Sequence, residues 1–261
     1  MIILTGYSGF IGKKFLEKIN QPIIKVEKED SFKFLSSFTD WDKVSLILHQ
    51  GAISSTTERN ISTLHHHNVA FTLMLFDYAI QHQIPVKFAS SASVYGNTLG
   101  TINPLNHYAI TKLQIDYFIQ DNIDKFSSIQ SFRYFNVYGQ GEDHKGDQAS
   151  PISKFTKQIK ETGKLKLFEG SDKFLRDFIC VDDVVDIVMN SNVPSGIYDL
   201  GTGEPISFQE VAELVTKKEG GEIELIPFPE HLKGKYQDYT KANMQWIDKY
   251  KFTTVEEYLL R

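Results

Sequence analysis

A chain of 261 residues is long enough for one large domain, or for a domain with a smaller companion. With 41% hydrophobic and 23% charged residues it has an ordinary globular composition, and its net charge of −5 argues against a nucleic-acid surface, which needs a basic patch. No apolar run reaches the roughly 18 residues of a membrane span, and one cysteine, Cys180, excludes an intramolecular disulfide and fits a reducing, cytoplasmic setting.

Taken in chain order, short β-branched runs alternate with helical stretches. "MIILTG" at the start reads as a core strand rather than a signal peptide, because it turns after a few apolar residues and has no basic leader. "FIGKKFLEKIN" follows as a helix, "PIIKVEK" and "VSLILHQGA" as two further strands, and "NVAFTLMLFDYAIQHQ" as a second helix. Then come strand "PVKFASS", helix "HYAITKLQIDYFIQDNI" and strand "SIQSFRYFNVYG". Such alternation predicts parallel βαβ units with right-handed crossovers. After about residue 145 the pattern loosens, with helices in "ISKFTKQIKETG" and "FQEVAELVTKKEG". "RDFICVDDVVDIVMN" and "GIYDLGTG" read as strands returning to the sheet. The expected architecture is α/β, a doubly wound parallel sheet over residues 1–145, with strands returning from about 177–202. A smaller, interleaved lobe occupies 146–261.

Between the first strand and first helix, "TGYSGFIG" places Gly6, Gly9 and Gly12. In a first βα turn, glycines at such spacing allow a tight turn, close approach of a pyrophosphate, and packing of helix on strand. The helix N-terminus adds amides and partial positive charge for phosphates. At the end of the second strand, Glu27 is placed to meet an adenosine ribose, which favours NAD, whereas Lys28 and Lys33 can meet a 2′-phosphate.

The stretch "FASSASVYGNTLGTINPLNHYAITK", residues 88–112, joins a strand end and a serine cluster to Tyr108 and Lys112. These two lie at i and i+4, hence on one helix face. A free tyrosine titrates near pH 10, too high for a base at neutral pH. A lysine within reach stabilises the phenolate, by roughly 1–3 pH units for an opposite charge at close range, and can hold a nicotinamide ribose. Ser91 is placed to hydrogen-bond the substrate oxygen while the tyrosine moves its proton and the cofactor a hydride.

These motifs resemble the extended short-chain dehydrogenase/reductases, which use a Rossmann domain and a bound nicotinamide to modify nucleotide sugars. "HQGAISSTTE" (49–58), "FRYFNVYGQGEDHKG" (132–146), "KLFEGSDKFLRDF" (166–178) and "IPFPEHLKGKYQ" (226–237) resemble the ADP-glyceromanno-heptose 6-epimerases. The resemblance runs along nearly the whole chain and implies inversion of the 6″ carbon of an ADP-activated heptose by transient oxidation, in lipopolysaccharide biosynthesis. The alternative is a dehydrogenase or 4-epimerase of a different nucleotide sugar.

Residue by residue, the resemblance implies Tyr108 and Lys145 as two acid/bases, with Ser91 and Lys112 completing the catalytic set. It implies cofactor contacts from Gly6, Gly9, Phe10, Ile11, Gly12, Glu27, Lys28 and Lys33. The turn Gln50, Gly51, Ala52, Ile53 and Ser54 adds to them, as do Asn68, Lys112, Val137 and Lys145. Lys33 matches a family lysine suited to the phosphate of NADP, so the resemblance favours NADP over NAD. The substrate side is Ser91, Asn136, Phe168, Glu169, Gly170, Ser171, Arg176 and Tyr236, with Arg176 able to clamp a diphosphate bidentately. Asp147 and Lys154 stand where the family has a serine and a histidine facing the substrate. The chain also runs shorter than the family between its second and third strands and before Tyr108.

No metal site is expected. Consecutive residues of His65–His67 on a helix point about 100° apart and cannot converge on one ion, and no carboxylate or cysteine at ligand spacing accompanies His49, His107 or His144. Asp182 and Asp183 precede a helix and are expected to cap it, Cys180 to lie in the core. The partners expected are a nucleotide-activated heptose and copies of the chain itself.

Overall fold

The computed structural model describes residues 1–230 and 237–261, with every side chain among them except that of Asp147. Two compact units result, each assembled from separate stretches of chain. One comprises Met1–Val94, Pro104–Tyr134 and Val185–Asp199; the other comprises Tyr95–Asn103, Phe135–Val184 and Leu200–Arg261. The chain passes between these units at 134–135 and returns over 185–199, where the sequence predicts a boundary at 145 and a return from about 177–202.

In the first unit, strands β1 (Ile2–Thr5), β2 (Ile23–Val26), β3 (Leu46–His49), β4 (Val86–Ser91) and β5 (Ile129–Tyr134) form parallel pairs in the order β2-β1-β3-β4-β5. Helices α1 (Phe10–Lys18), α2 (Ser31–Ser37), α3 (Ile61–Leu64), α4 (Phe71–Gln81) and α5 (His107–Asn122) connect them. The strand order reverses between β1 and β3, and in such sheets ligands bind in the crevice beyond the strand ends at that point. The stretch between β2 and β3, short against the resembled family, holds only α2 and one turn of tight helix at Trp41–Lys43, so β2 is the sheet edge. Ile3, Ile47, Val86, Phe88 and Ile129 from the strands pack with Leu75, Phe76, Ala79, Ile115 and Ile119 from the helices.

The expected strand over 128–139 breaks at Phe135, whose amide donates to the Leu200 carbonyl. Its continuation, β6 (Asn136–Tyr138), pairs in parallel with β9 (Phe178–Cys180) in the second unit. That unit adds helix α6 (Pro151–Thr162) and strands β7 (Lys164–Phe168) and β8 (Leu175–Arg176). α6 is delimited as its sequence dictates: the Ser150 hydroxyl accepts from the Ser153 amide, Pro151 opens the first turn, and Gly163 ends it at φ 71°.

Residues 176–190, expected to be strand, yield only β8's end and β9 before helix α7 (Val181–Asn190). α7 carries Val181, Val184, Val185, Ile187 and Val188 into the interior, and five buried β-branched residues read as a strand unless their spacing is weighed. Strand β10 (Gly196–Leu200) does join the large sheet, beside β5. The chain closes with β11 (Ile206–Ser207), α8 (Phe208–Glu219), β12 (Glu222–Ile226) and α9 (Val255–Leu259). Tyr138, Leu165, Leu167, Phe178 and Cys180 pack there with Ile159, Val211, Val215, Val255 and Leu259. Cys180 is fully buried, and burial pushes its thiol up to about 11, which leaves it an inert core residue.

Two aspartates of this unit act as staples. Asp177 accepts from the Thr202 amide and hydroxyl, the Gly203 amide and the Ala242 amide. Asp183 accepts from the Thr253 amide and hydroxyl. The expectation that Asp182 and Asp183 precede and cap a helix is corrected: both lie inside the first turn of α7, and Asp182 pairs with Arg261 at 3.5 Å.

Candidate active site

The crevice between β1 and β3 is built by glycines. A Cβ on Gly12 would lie 2.0 Å from the Gly6 carbonyl oxygen, and one on Gly6, at φ 66°, would lie 2.5 Å from Gly51 Cα. Both positions are thus closed by backbone. Gly9 differs: its Cβ would meet only the Gly6 oxygen, at 3.3 Å, so there is room around it at the start of α1. Gly9 also caps α1 without a side-chain acceptor, which keeps the helix's first amides for a ligand. Phe10 is buried behind the loop, and Ile11 follows it in the first turn.

A chain of hydrogen bonds ties this crevice to α5. The Gly51 amide donates to Thr5 Oγ1, whose hydroxyl faces His49 Nδ1 at 2.6 Å. His49 Nε2 meets Thr72 Oγ1 at 2.8 Å, and that hydroxyl donates to the Asn68 carbonyl. The Asn68 side chain accepts from the Ile53 amide and donates to the Ile53 carbonyl and Thr111 Oγ1; Thr111 in turn donates to the Tyr108 carbonyl. This order of donors fits a neutral His49 carrying its proton on Nε2. Burial, helped by the positive charge of Lys112, lowers His49 to about 3. Gln50 accepts from the Tyr134 hydroxyl at 2.9 Å, while its Nε2 is buried with no partner, a donor available to a ligand at this turn. Ala52 and Ser54 flank Ile53 in the same turn. Asn68 lies in a π-helical segment, His65–Ala70, a bulge of the kind found at functional sites. His66 there stacks on Phe32 at 4.2 Å, and no group of three metal-ligating residues occurs among the described residues.

Tyr108 and Lys112 occupy successive turns of α5, which the Asn106 side chain caps at the Ala109 amide. Ser91, at the end of β4, hydrogen-bonds the Tyr108 phenol and also accepts from the Ser93 amide. Lys112 is 3% exposed, donates to the Ala89 carbonyl at 2.6 Å, and lies 4.7 Å from the Phe88 ring centroid and 5.9 Å from that of Tyr108. The structure therefore brings Ser91, Tyr108 and Lys112 together.

One expectation is corrected here. Burial raises the Tyr108 pKa; the Ser91 bond lowers it in part and Asp116 raises it further. The phenol therefore stands above its ordinary value rather than below it, burial being the largest influence, even with Lys112 one turn away. Burial likewise lowers Lys112 to about 8, against the opposing pull of Asp116.

At the tip of β2, the Glu27 carboxylate accepts from the Ser8 amide of the glycine loop at 2.7 Å. Lys28 is exposed and 3.8 Å from Glu29, and Lys33 is exposed on α2. The crevice, the bare helix terminus and the orphaned Gln50 donor fit a nicotinamide dinucleotide.

The remaining predicted residues lie in the second unit. Val137 is in β6, and Asn136 beside it donates to the Asp177 carbonyl and to Thr240 Oγ1. Lys145 is 3.3 Å from Glu142, a buried carboxylate that also accepts from the Gly139 amide and from the Ser150 amide and hydroxyl. Lys154 is exposed on α6. Phe168 ends β7 against Phe228, and Glu169, Gly170 and Ser171 form the turn beyond, with Ser171 donating to the Phe168 carbonyl. Arg176 is 6% exposed, donates to the carbonyls of Leu175 and Gln237, and lies over the Phe208 ring. The side chain of Asp147 and the whole of Tyr236 lie outside the described residues. Glu142, Asp116 and the His49 chain escaped the sequence reading. Of these only Asp116 left a signal, one further step of four after Tyr108 and Lys112.

A parallel sheet whose order reverses at a glycine crevice, with a second unit interleaved in sequence, is the architecture of the extended short-chain dehydrogenase/reductases. Among solved structures, the ADP-L-glycero-D-manno-heptose-6-epimerase of Helicobacter pylori is similar at 24% identity and a TM-score of 0.82, over 99% of this chain and 93% of that one. The UDP-N-acetylglucosamine 4-epimerase of Methanobrevibacter ruminantium matches at 18% and 0.84, over 99% and 96%. The UDP-glucose 4-epimerase of Thermus thermophilus matches at 20% and 0.80, over 99% and 97%. Residues 2–191 match the NAD dependent epimerase/dehydratase family, and the chain belongs to that family. It is a nicotinamide-dependent enzyme. Among the described residues, no helix is long and apolar enough to cross a membrane.

Proposed function

We propose that the protein is a nucleotide-sugar epimerase that inverts the 6″ carbon of an ADP-activated glycero-manno-heptose. The observation that carries the reading is the Ser91–Tyr108–Lys112 set, a half-buried proton-transfer group with its own hydrogen-bond donor and a buried cation. Its support in substrate is the resemblance of residues 49–58, 132–146, 166–178 and 226–237 to the heptose epimerases.

A bound nicotinamide would supply the chemistry of taking a hydride from the carbinol carbon and returning it to the opposite face. Ser91 holds the sugar oxygen. Tyr108 exchanges a proton with that oxygen as its carbon becomes a carbonyl and again as it is restored. To take the carbinol proton the phenol must first release its own to solvent, a step that burial opposes and the Lys112 cation assists; the proton goes back to the oxygen when the carbinol is restored. Inversion needs proton transfer on a second side of the carbonyl, or rotation of the group between two poses. Lys145 takes that second role, steadied by Glu142.

For the cofactor, Glu27 is the deciding residue. A carboxylate already bonded to the loop amide repels a 2′-phosphate and accepts from a ribose hydroxyl, which moves the reading from NADP toward NAD. Asp147 and Lys154 favour a second substrate reading, epimerisation or oxidation of a different nucleotide sugar, since they replace residues of the heptose enzymes.

The test is incubation with ADP-heptose, following the 6″ configuration by NMR. Inversion that Tyr108→Phe abolishes supports the proposal; turnover of UDP-glucose with no inversion of the heptose overturns it.

A further inference from the structure

α5 presents a third polar residue on the face that carries the tyrosine and lysine. Asp116 lies one turn beyond Lys112 and is 1% exposed. Its carboxylate accepts from Arg133 Nε on β5 at 2.8 Å and from the Ser131 hydroxyl at 3.3 Å. Tyr108, Lys112 and Asp116 thus form a ladder at i, i+4 and i+8, closed by a guanidinium from the neighbouring strand.

A carboxylate is rarely buried this deeply unless something requires its charge. The groups facing Lys112 show what does. Tyr108 and Asp116 come from α5, neutral His49 from β3, and the Ala89 carbonyl and Phe88 ring from β4. Asp116 is the one anion in that set, and it is paired with Arg133.

We propose that Asp116 is a positioning residue of the reaction: from one turn along α5 it keeps Lys112 charged, and Arg133 keeps Asp116 charged in turn. Without the carboxylate, Lys112 would have a carbonyl, two aromatic rings and no counter-charge, in surroundings whose burial already favours the neutral amine. A neutral Lys112 cannot offset a developing phenolate. The pair thus carries the basic side of the enzyme's working range, and the inference rests on the reading of Tyr108 and Lys112 as the proton-handling pair.

The test follows Lys112 directly. Protein labelled with carbon-13 at the lysine ε-carbons is titrated by NMR, with the Lys112 resonance assigned through Lys112→Met. Asp116→Asn alone leaves the Arg133 guanidinium beside a neutral side chain, so the double variant Asp116→Asn/Arg133→Met, which removes both charges, is measured beside it. The Lys112 midpoint is expected to fall by about one pH unit in the double variant, to recover in Asp116→Glu, and to be matched by an equal acid-ward shift in the alkaline limb of kcat. A midpoint and limb that stay in place while Tm falls would make Asp116 structural only and overturn the proposal. A midpoint that moves while Tyr108→Phe keeps full turnover overturns its role in the reaction together with the parent reading, and leaves only the electrostatic coupling.

Discussion

Gly9 and Gly12 lie three residues apart in one loop, yet the structure gives them separable tasks. In Gly12→Ala the new Cβ would sit 2.0 Å from the Gly6 oxygen and 2.8 Å from Tyr7 Cα, backbone atoms that cannot rotate away. Helix α1 must move off the loop by more than an ångström to restore an ordinary contact. Overpacking of this kind costs about 1–3 kcal/mol and at times more, against which the better helix propensity of alanine returns at most about 1 kcal/mol. At about 2–4 °C per kcal/mol, a net loss of about 1–2 kcal/mol lowers Tm by roughly 2–8 °C. In Gly9→Ala the Cβ meets one atom at 3.3 Å and φ is −70°, which alanine adopts freely. Loss of the glycine cap costs only about 0.5 kcal/mol. The added methyl sits at the cap of α1, where it is expected to hold a dinucleotide off the helix terminus. Scanning fluorimetry without cofactor, paired with titration by NADH fluorescence, separates the two. Gly12→Ala should lose stability, and Gly9→Ala should keep it while binding NADH about tenfold or more weakly. An unchanged Tm for Gly12→Ala, or equal loss of Tm in both, would refute this division of labour.

Other expectations follow from particular groups. Asp177→Ala leaves the amides of Thr202, Gly203 and Ala242 without their acceptor, at about 1–3 kcal/mol each, so a Tm loss of roughly 10 °C is expected by calorimetry. Binding of NADH should exceed that of NADPH, and Glu27→Gln should narrow the ratio; tighter NADPH binding by the unaltered protein would contradict the Glu27 argument. His49, held near 3 against 6.5 when exposed, refuses a proton that the unfolded chain accepts. Stability should therefore be complete above that higher value and fall with pH below it by about 1.4 kcal/mol per pH unit. Urea unfolding across this range should show the slope, reduced in His49→Gln.

What the sequence disclosed was what is local. The glycine loop, the strand-to-serine junction and the i, i+4 pair of Tyr108 and Lys112 each lie within a few residues, so spacing and periodicity suffice to read them. α7 reads both as part of a returning strand and as a helix following Asp182 and Asp183, because its buried valines suit a strand as well as a helix enclosed by the core. The break at Phe135 depends on Leu200 far along the chain, and the Thr5–His49–Thr72–Asn68–Thr111 chain spans separations of 44, 23, 4 and 43 residues. Neither leaves a local pattern. Nor does the upward shift of Tyr108, since burial of a phenol depends on what the rest of the fold packs around it.

The account depends on a hydride that leaves one carbon and returns to it. Carrying out the inversion of ADP-heptose in heavy water tests this most directly. The inverted product should carry no deuterium at its 6″ carbon by mass spectrometry and NMR, because the hydrogen never exchanges with solvent. Deuterium at that carbon would show that a proton, rather than a hydride, was removed and replaced, and would contradict the account.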